Sequence, residues 1–162
     1  MQFIHTHDDP WHRAGGEDGP VPHPQAAAHL LLTLEQWNAV RDTWPAGLPV
    51  GVQLPNTADV EELAADLPRL ALVALQFPKW VDGRAYSQAH LLRARLGYRG
   101  QLRATGEVLV DMLPLLQRTG FDAVQLRADQ KESSALRALG LVTDHYQGDV
   151  PQPRPLFARA AA

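Results

Sequence analysis

The segment Leu70–Phe77, LALVALQF, constrains the fold of this chain more than any other. Apart from Gln76 it is apolar, and it lacks the apolar–polar alternation of a strand with one face in water. A continuous apolar strand of this kind is typical of a parallel sheet that is covered on both faces. Pro78 follows at once and lacks the N–H that a longer strand would need. The segment therefore predicts a central, buried strand that ends at Phe77.

Strand-like and helix-like segments alternate along the rest of the chain. Thr33 and Gln36 have the spacing of a capping box at the start of one helix, and Pro114 is expected to kink or split a later one. Short connections between alternating elements are the pattern of repeated βα units with right-handed crossovers. The chain has 162 residues, short of the ~250 that a complete eight-fold barrel needs. We therefore predict an α/β fold whose mostly parallel sheet is either open or a partial TIM-like barrel.

The sequence divides into three parts. Residues 1–27 begin with the apolar MQFI and continue with a stretch rich in Gly, Pro, Asp and His, which predicts a strand or hairpin arm and then a loop. Residues 28–145 carry the βα pattern and are predicted to form the core domain. Residues 146–162 are predicted to form a tail.

Composition narrows the classes of function. The chain has no cysteine, which removes disulfides, thiol catalysis and cysteine-ligated metal clusters. A net charge of -3 does not suit a strongly basic nucleic-acid-binding protein. No apolar run approaches the ~20 residues that cross a bilayer. We therefore expect a cytoplasmic protein that binds neither nucleic acid nor membrane.

Residue types that carry chemistry concentrate in two loops, each of which follows a predicted strand. Because the carboxyl ends of parallel strands meet at one edge of a sheet, the two loops are expected to lie side by side. Cationic side chains beside the open N–H groups of a helix start make an anion site. The residues expected to bind the anion are Lys79, Arg84, Tyr86, Ser87 and Arg103, and the candidate catalytic acids or bases are Asp82 and Glu107.

The same residues also have a structural interpretation, which the sequence leaves open. Asp82 would pair with Arg84, and Ser87 would only cap the helix that follows. Arg103 would bond to Glu107 across the two loops. Ion pairs of this kind also cluster at loop ends without any catalytic role.

His5 and His7, with His12 nearby, form a second candidate. A His-x-His pair on a first strand opens several metal-dependent hydrolase barrels, because alternate strand residues point the same way. Further ligands would have to come from later strand ends, where only Asp82 and Glu107 are available. We therefore expect no native metal site.

The chain contains no Gly-rich dinucleotide or phosphate loop and no nucleophile elbow. The sequence therefore leaves the cofactor unknown. Electron transfer by this chain would need a bound cofactor or a partner that holds one.

One long stretch of the sequence resembles a known family. FPKW and DGRAYS occupy residues 77–80 and 82–87, LLR occupies residues 91–93, LRATGEVLVD occupies residues 102–111, and GFDA occupies residues 120–123. These residues resemble the pattern of the bacterial domain-of-unknown-function family 934, and the likeness extends over roughly residues 30–157. Departures include His90 where the family has arginine and Thr119 where it has cysteine. The second departure implies that the family cysteine is not needed for chemistry here.

The resemblance implies an association with assimilatory sulfite reduction, because members accompany a sulfite reductase haemoprotein. Two functions follow as expectations. The chain is either an accessory protein that docks on the haemoprotein and supports electron delivery or assembly, or an enzyme, such as an oxidoreductase, that acts on a small anionic substrate. The lack of a redox motif favours the first, and the polar groups that converge at the strand ends favour the second. We expect the first. A homodimer is the default expectation for a bacterial protein of this kind.

Overall fold

The computed structural model describes residues 1–15, 21–142 and 144–158. Within these ranges, seven strands form one sheet, which is curled into an open half-barrel. All neighbouring strands in this sheet run parallel to each other. This architecture confirms the predicted α/β fold with a parallel sheet. In chain order the strands are β1 (Gln2–Phe3), β2 (His12–Arg13), β3 (Leu30–Thr33), β4 (Val50–Leu54), β5 (Leu70–Phe77), β6 (Gln101–Gly106) and β7 (Ala123–Val124).

The described ranges also contain four α-helices. They are α1 (Leu34–Val40), α2 (Arg84–His90), α3 (Leu113–Thr119) and α4 (Glu132–Gly140). A π-helical turn, Leu91–Arg95, extends α2, and shorter 3-10 turns lie at Val60–Leu63, Leu67–Arg69, Val110–Met112 and Leu156–Ala158. None of the helices in these ranges is long and apolar enough to cross a membrane.

Local sequence signals account for several helix boundaries. Thr33 accepts a hydrogen bond from the Gln36 backbone N–H at 3.1 Å, and the Gln36 side chain accepts one from the Thr33 N–H at 2.9 Å, so the capping box is confirmed. Pro114 splits its segment as predicted, because a 3-10 turn ends at Met112 and α3 starts at Leu113 with the proline in its first turn. Proline fits there because the first N–H groups of a helix have no internal partner.

Strand β5 lies in the middle of the sheet, between β4 and β6. Val73, Leu75 and Phe77 are buried in the main core beneath the helices. Leu72 and Ala74 point to the opposite, concave face, where they are buried with Leu31 against Trp11. The prediction of a strand covered on both faces is therefore confirmed.

The first residues of the chain cross the concave face. Strand β1 pairs with β7 at one edge of the sheet and β2 pairs with β3 at the other, both in parallel. Of the two alternatives predicted for this segment, a strand and a hairpin arm, the structure has the strand. Residues 4–11 connect the two edges, and Trp11 packs over Gly51, where an added Cβ would lie only 3.1 Å from the tryptophan ring. We call residues 4–11 the strap.

Candidate functional site

The loop between β5 and α2 holds most of the predicted anion-binding residues. Helix α2 begins at Arg84, with Gly83 as its N-cap, so Ser87 lies within the helix and its predicted capping role is wrong. The helix starts earlier because the Asp82 carboxylate accepts a hydrogen bond from the Arg84 backbone N–H at 3.3 Å. An aspartate before the first turn satisfies an otherwise unpaired N–H group.

Asp82 and Arg84 form a two-point ion pair. Their contacts measure 3.0 Å from Nε to Oδ1 and 2.6 Å from Nη2 to Oδ2. The guanidinium group holds the pKa of Asp82 well below its usual range, and the carboxylate raises the pKa of Arg84. Asp82 is therefore an ionised carboxylate at neutral pH with its arginine already bound, as the structural interpretation of this pair expected.

The tip of the same loop presents apolar side chains to solvent. The side chains of Trp80 and Val81 are 56% and 66% exposed, and Lys79 beside them is also exposed. The Asp82 N–H donates to the Lys79 carbonyl at 3.0 Å, which closes the loop into a turn.

Tyr86 lies behind this loop and is half-buried. Its ring packs edge-on against Phe77, with ring centroids 5.1 Å apart. Burial, and then the charge of Asp111, raise the pKa of Tyr86. The phenol is therefore protonated at neutral pH and acts here as a packing residue with a polar edge.

Glu107 follows β6 and is held next to the end of β5. Its backbone N–H donates to the Phe77 carbonyl at 2.8 Å, and its carboxylate accepts a hydrogen bond from Arg127 at 2.8 Å. Arg127 also binds Asp129, at 2.6 and 2.7 Å, which lowers the pKa of Asp129 to about 2. Sequence reasoning missed Arg127, although Arg127 and Asp129 have the same one-residue spacing as Asp82 and Arg84.

Arg103 is not part of the rim that the sequence predicted. It lies three residues before the end of β6 on the concave face, and its side chain is only 2% exposed. Its two terminal nitrogens bind the Asp9 carboxylate at 2.5 and 3.1 Å, and Nη2 also donates to Gln101 at 2.9 Å. Arg84 starts a helix that packs on the other face of the sheet. The expected grouping of Arg84 with Arg103 is therefore wrong, and so is the alternative bond from Arg103 to Glu107.

The reason is strand geometry. Arg103 alternates with Leu102 and Ala104, which are buried beneath the helices, so its side chain must point to the concave face. There it meets Asp9, in a segment that the sequence analysis assigned to a loop.

The rings of His5 and His7 stack with their centroids 5.7 Å apart, but their nitrogens contact different carboxylates. His5 lies 3.1 Å from Glu132, and His7 lies 3.0 Å from its neighbour Asp8. His12 is on β2, at the far edge of the sheet. In the part of the chain that the structure describes, no group of three or more His, Cys, Asp or Glu side chains could hold a metal ion.

A pocket of about 580 Å³ lies on the concave face, at the carboxyl ends of β3, β4 and β5. We call it the concave pocket. The sequence analysis missed it, although Gln53 and Gln76 are the penultimate residues of otherwise apolar strands. Its polar and charged lining residues are Arg13, Thr33, Glu35, Gln36, Gln53 and Gln76.

Comparison with known proteins places this arrangement in a family. A family model described as a bacterial protein of unknown function, DUF934, matches residues 51–157. The chain belongs to the DUF934 family. No curated protein matches the chain, and no solved structure matches it.

The DUF934 match begins at the second residue of β4. It therefore includes residues 79–81 and Arg103, but neither the strap nor Asp9. It also includes Arg93, which belongs to the family-like LLR motif at residues 91–93, directly after α2. Arg93 is 12% exposed and donates to the carbonyls of Gly120, Tyr98 and Gly100 and to the carboxylate of Asp122. This motif arginine therefore ties chain segments together and does not line a ligand site.

Proposed function

We propose that this protein is an accessory protein of assimilatory sulfite reductase, which docks on the haemoprotein and supports electron delivery or assembly. The observation that carries the proposal is the exposure of Trp80 and Val81 at the carboxyl end of the central strand. Exposed large apolar side chains on a polar rim are typical of protein interaction sites, and tryptophan is enriched among the residues that dominate binding energy.

We call residues 79–81 the docking loop, and its surroundings hold it in one shape. The Asp82–Arg84 ion pair closes it on one side, and Phe77 and Tyr86 pack behind it. A loop that is ordered before binding loses less conformational entropy on binding. Trp80 is therefore presented in a form that suits a partner surface.

The docking loop also lies in the stretch that carries the family resemblance. FPKW in residues 77–80 stands where the family pattern has F-P-K-F, so both have an aromatic residue at the exposed position. The resemblance implies the haemoprotein as the partner. Lys79 beside the tryptophan adds a positive charge that suits an acidic patch on that partner.

The alternative, an enzyme that acts on a small anionic substrate, has less support. Its candidate acids Asp82 and Glu107 each bind an arginine, and Arg103 is taken by Asp9. These predicted catalytic and anion-binding residues already have ion-pair partners within the protein, which favours the accessory function.

The test is complex formation with the purified sulfite reductase haemoprotein, followed by size-exclusion chromatography and calorimetry. We expect a stable complex whose affinity falls about tenfold or more in Trp80→Ala, the cost of losing a central aromatic anchor. Phe157→Ala is the matched control, because Phe157 is an aromatic residue with 72% exposure on the C-terminal tail. Failure of the wild-type protein to bind the haemoprotein, or equal losses in both variants, would refute the proposal.

A further inference from the structure

The concave pocket lies where parallel α/β sheets bind ligands, outside the carboxyl ends of the strands. Thr33 and Gln53 are paired across β3 and β4, and Gln76 follows on β5, so the three polar side chains share the concave face. Its volume of about 580 Å³ is within the range of small-molecule sites.

Two amide side chains form the polar wall of the pocket. In the described ranges, neither Gln53 nor Gln76 forms a hydrogen bond through its side chain. Each amide offers two N–H donors and one carbonyl acceptor. Such a pair complements a ligand group that also carries both a donor and an acceptor, as a peptide bond does. Leu31, Leu34 and Pro55 supply apolar contacts around them.

Two opposite charges line the same pocket. Arg13 extends from β2 and Glu35 from the first turn of α1, and both are exposed. Neither forms an ion pair with any residue that the structure describes. Because the two charges do not neutralise each other, the pocket has a positive side and a negative side. Such a pocket favours a ligand that carries both a carboxylate and an ammonium group.

We propose that the concave pocket binds a small dipolar molecule with an amide backbone, of the size of a di- or tripeptide. Its carboxylate pairs with Arg13, its ammonium group pairs with Glu35, and its amides bond to Gln53 and Gln76. This inference goes beyond the proposed function, because none of these residues belongs to the docking loop.

The experiment is calorimetric titration of the full chain with the tripeptide Ala-Leu-Ala. We expect saturable binding with a Kd of about 1 mM or tighter. Blocking either end, by C-terminal amidation or N-terminal acetylation, should weaken binding about tenfold, because each block removes one charge-assisted contact.

Two variants assign the charges. Arg13→Gln should weaken binding of the free tripeptide about tenfold. It should leave binding of the amidated peptide unchanged, because that peptide has no carboxylate with which Arg13 could pair. Glu35→Gln should weaken binding of the free tripeptide about tenfold and leave binding of the acetylated peptide unchanged, because the acetylated peptide has no ammonium group. Both side chains are exposed, so the fold should tolerate the changes.

Several results would overturn the proposal. They are no saturable heat up to about 10 mM peptide, equal affinity for free and blocked peptides, and tighter binding of a planar phosphorylated heterocycle such as uridine monophosphate. Trp80→Ala should bind the tripeptide as the wild type does. A protein that binds peptide but not the haemoprotein would therefore refute only the proposed function, and the converse result would refute only this inference.

Discussion

Asp9 and Arg103, 94 positions apart in the chain, form a two-point ion pair on the concave face of the sheet. Their side chains are 14% and 2% exposed. The Asp9 carboxylate also accepts a hydrogen bond from the Trp11 backbone N–H at 3.2 Å. The same carboxylate therefore stabilises a turn within the strap and attaches the strap to β6. The strap is therefore held by a buried charge pair as well as by the packing of Trp11.

We predict that Asp9→Ala lowers the free energy of unfolding by about 3–5 kcal/mol, because it leaves the Arg103 guanidinium buried without its partner. Chemical denaturation measures the loss. Asp8→Ala is the control: Asp8 is exposed and, among the described residues, forms an ion pair only with His7, so we expect a change within about 0.5 kcal/mol. The double variant Asp9→Leu with Arg103→Met should recover much of the stability. A loss below about 1 kcal/mol in Asp9→Ala would contradict the anchoring role of the pair.

The core of the fold was predictable from the sequence because local patterns determine it. The apolar run of β5 indicated a strand covered on both faces, and Thr33 with Gln36 indicated the start of α1. The strap was not predictable. Strand alternation shows that Arg103 faces away from the helices, but no local pattern shows which distant segment covers that face.

The predicted anion rim does not include Arg103, and some of its other groups already bind one another. Several of its polar groups bind close neighbours in the chain, as Asp82 binds Arg84, and the helix begins three residues before Ser87. The cluster in the sequence therefore contains residues that form ion pairs with one another. Lys79, Arg84, Tyr86 and Ser87 lie in one loop and helix start as expected, and anion binding by them stays a prediction.

Arg84→Gln should change the titration of Asp82. Because Arg84 lowers the pKa of Asp82 in the folded state, the unfolded chain binds more protons in acid. The stability from this pair is therefore present above the ordinary midpoint of pH 3.8 and is lost as the pH falls through the folded pKa. NMR of the carboxyl carbon should show Asp82 ionised at pH 3.8 in the wild type and more protonated at the same pH in the variant. Arg127→Gln should leave Asp82 unchanged and raise the pKa of Asp129 instead.

Arg93→Lys tests the structural role of the family motif. A lysine ammonium cannot reach the three carbonyls and one carboxylate that the planar guanidinium binds. We expect a loss of about 2–4 kcal/mol in the free energy of unfolding, since three partly buried carbonyls lose their donor. Arg95→Lys is the control, because Arg95 is 67% exposed and its one ion pair within the described part of the chain is with Glu61. Equal, small losses in both variants would show that the Arg93 contacts add little stability.

Gly106→Ala tests how closely the ends of β5 and β6 must approach. Gly106 has φ +94°, and an added Cβ would collide with the Phe77 carbonyl, whose oxygen also accepts the Glu107 N–H. Gly47→Ala is the matched control, because Gly47 has φ +84° but open space around it. This substitution therefore causes backbone strain without a collision. That strain costs about 1–3 kcal/mol, and the collision should cost Gly106→Ala a further ~1–3 kcal/mol in urea denaturation. Equal losses in the two variants would mean that the strand ends can separate. The loop beyond β5 would then not depend on β6 for its position.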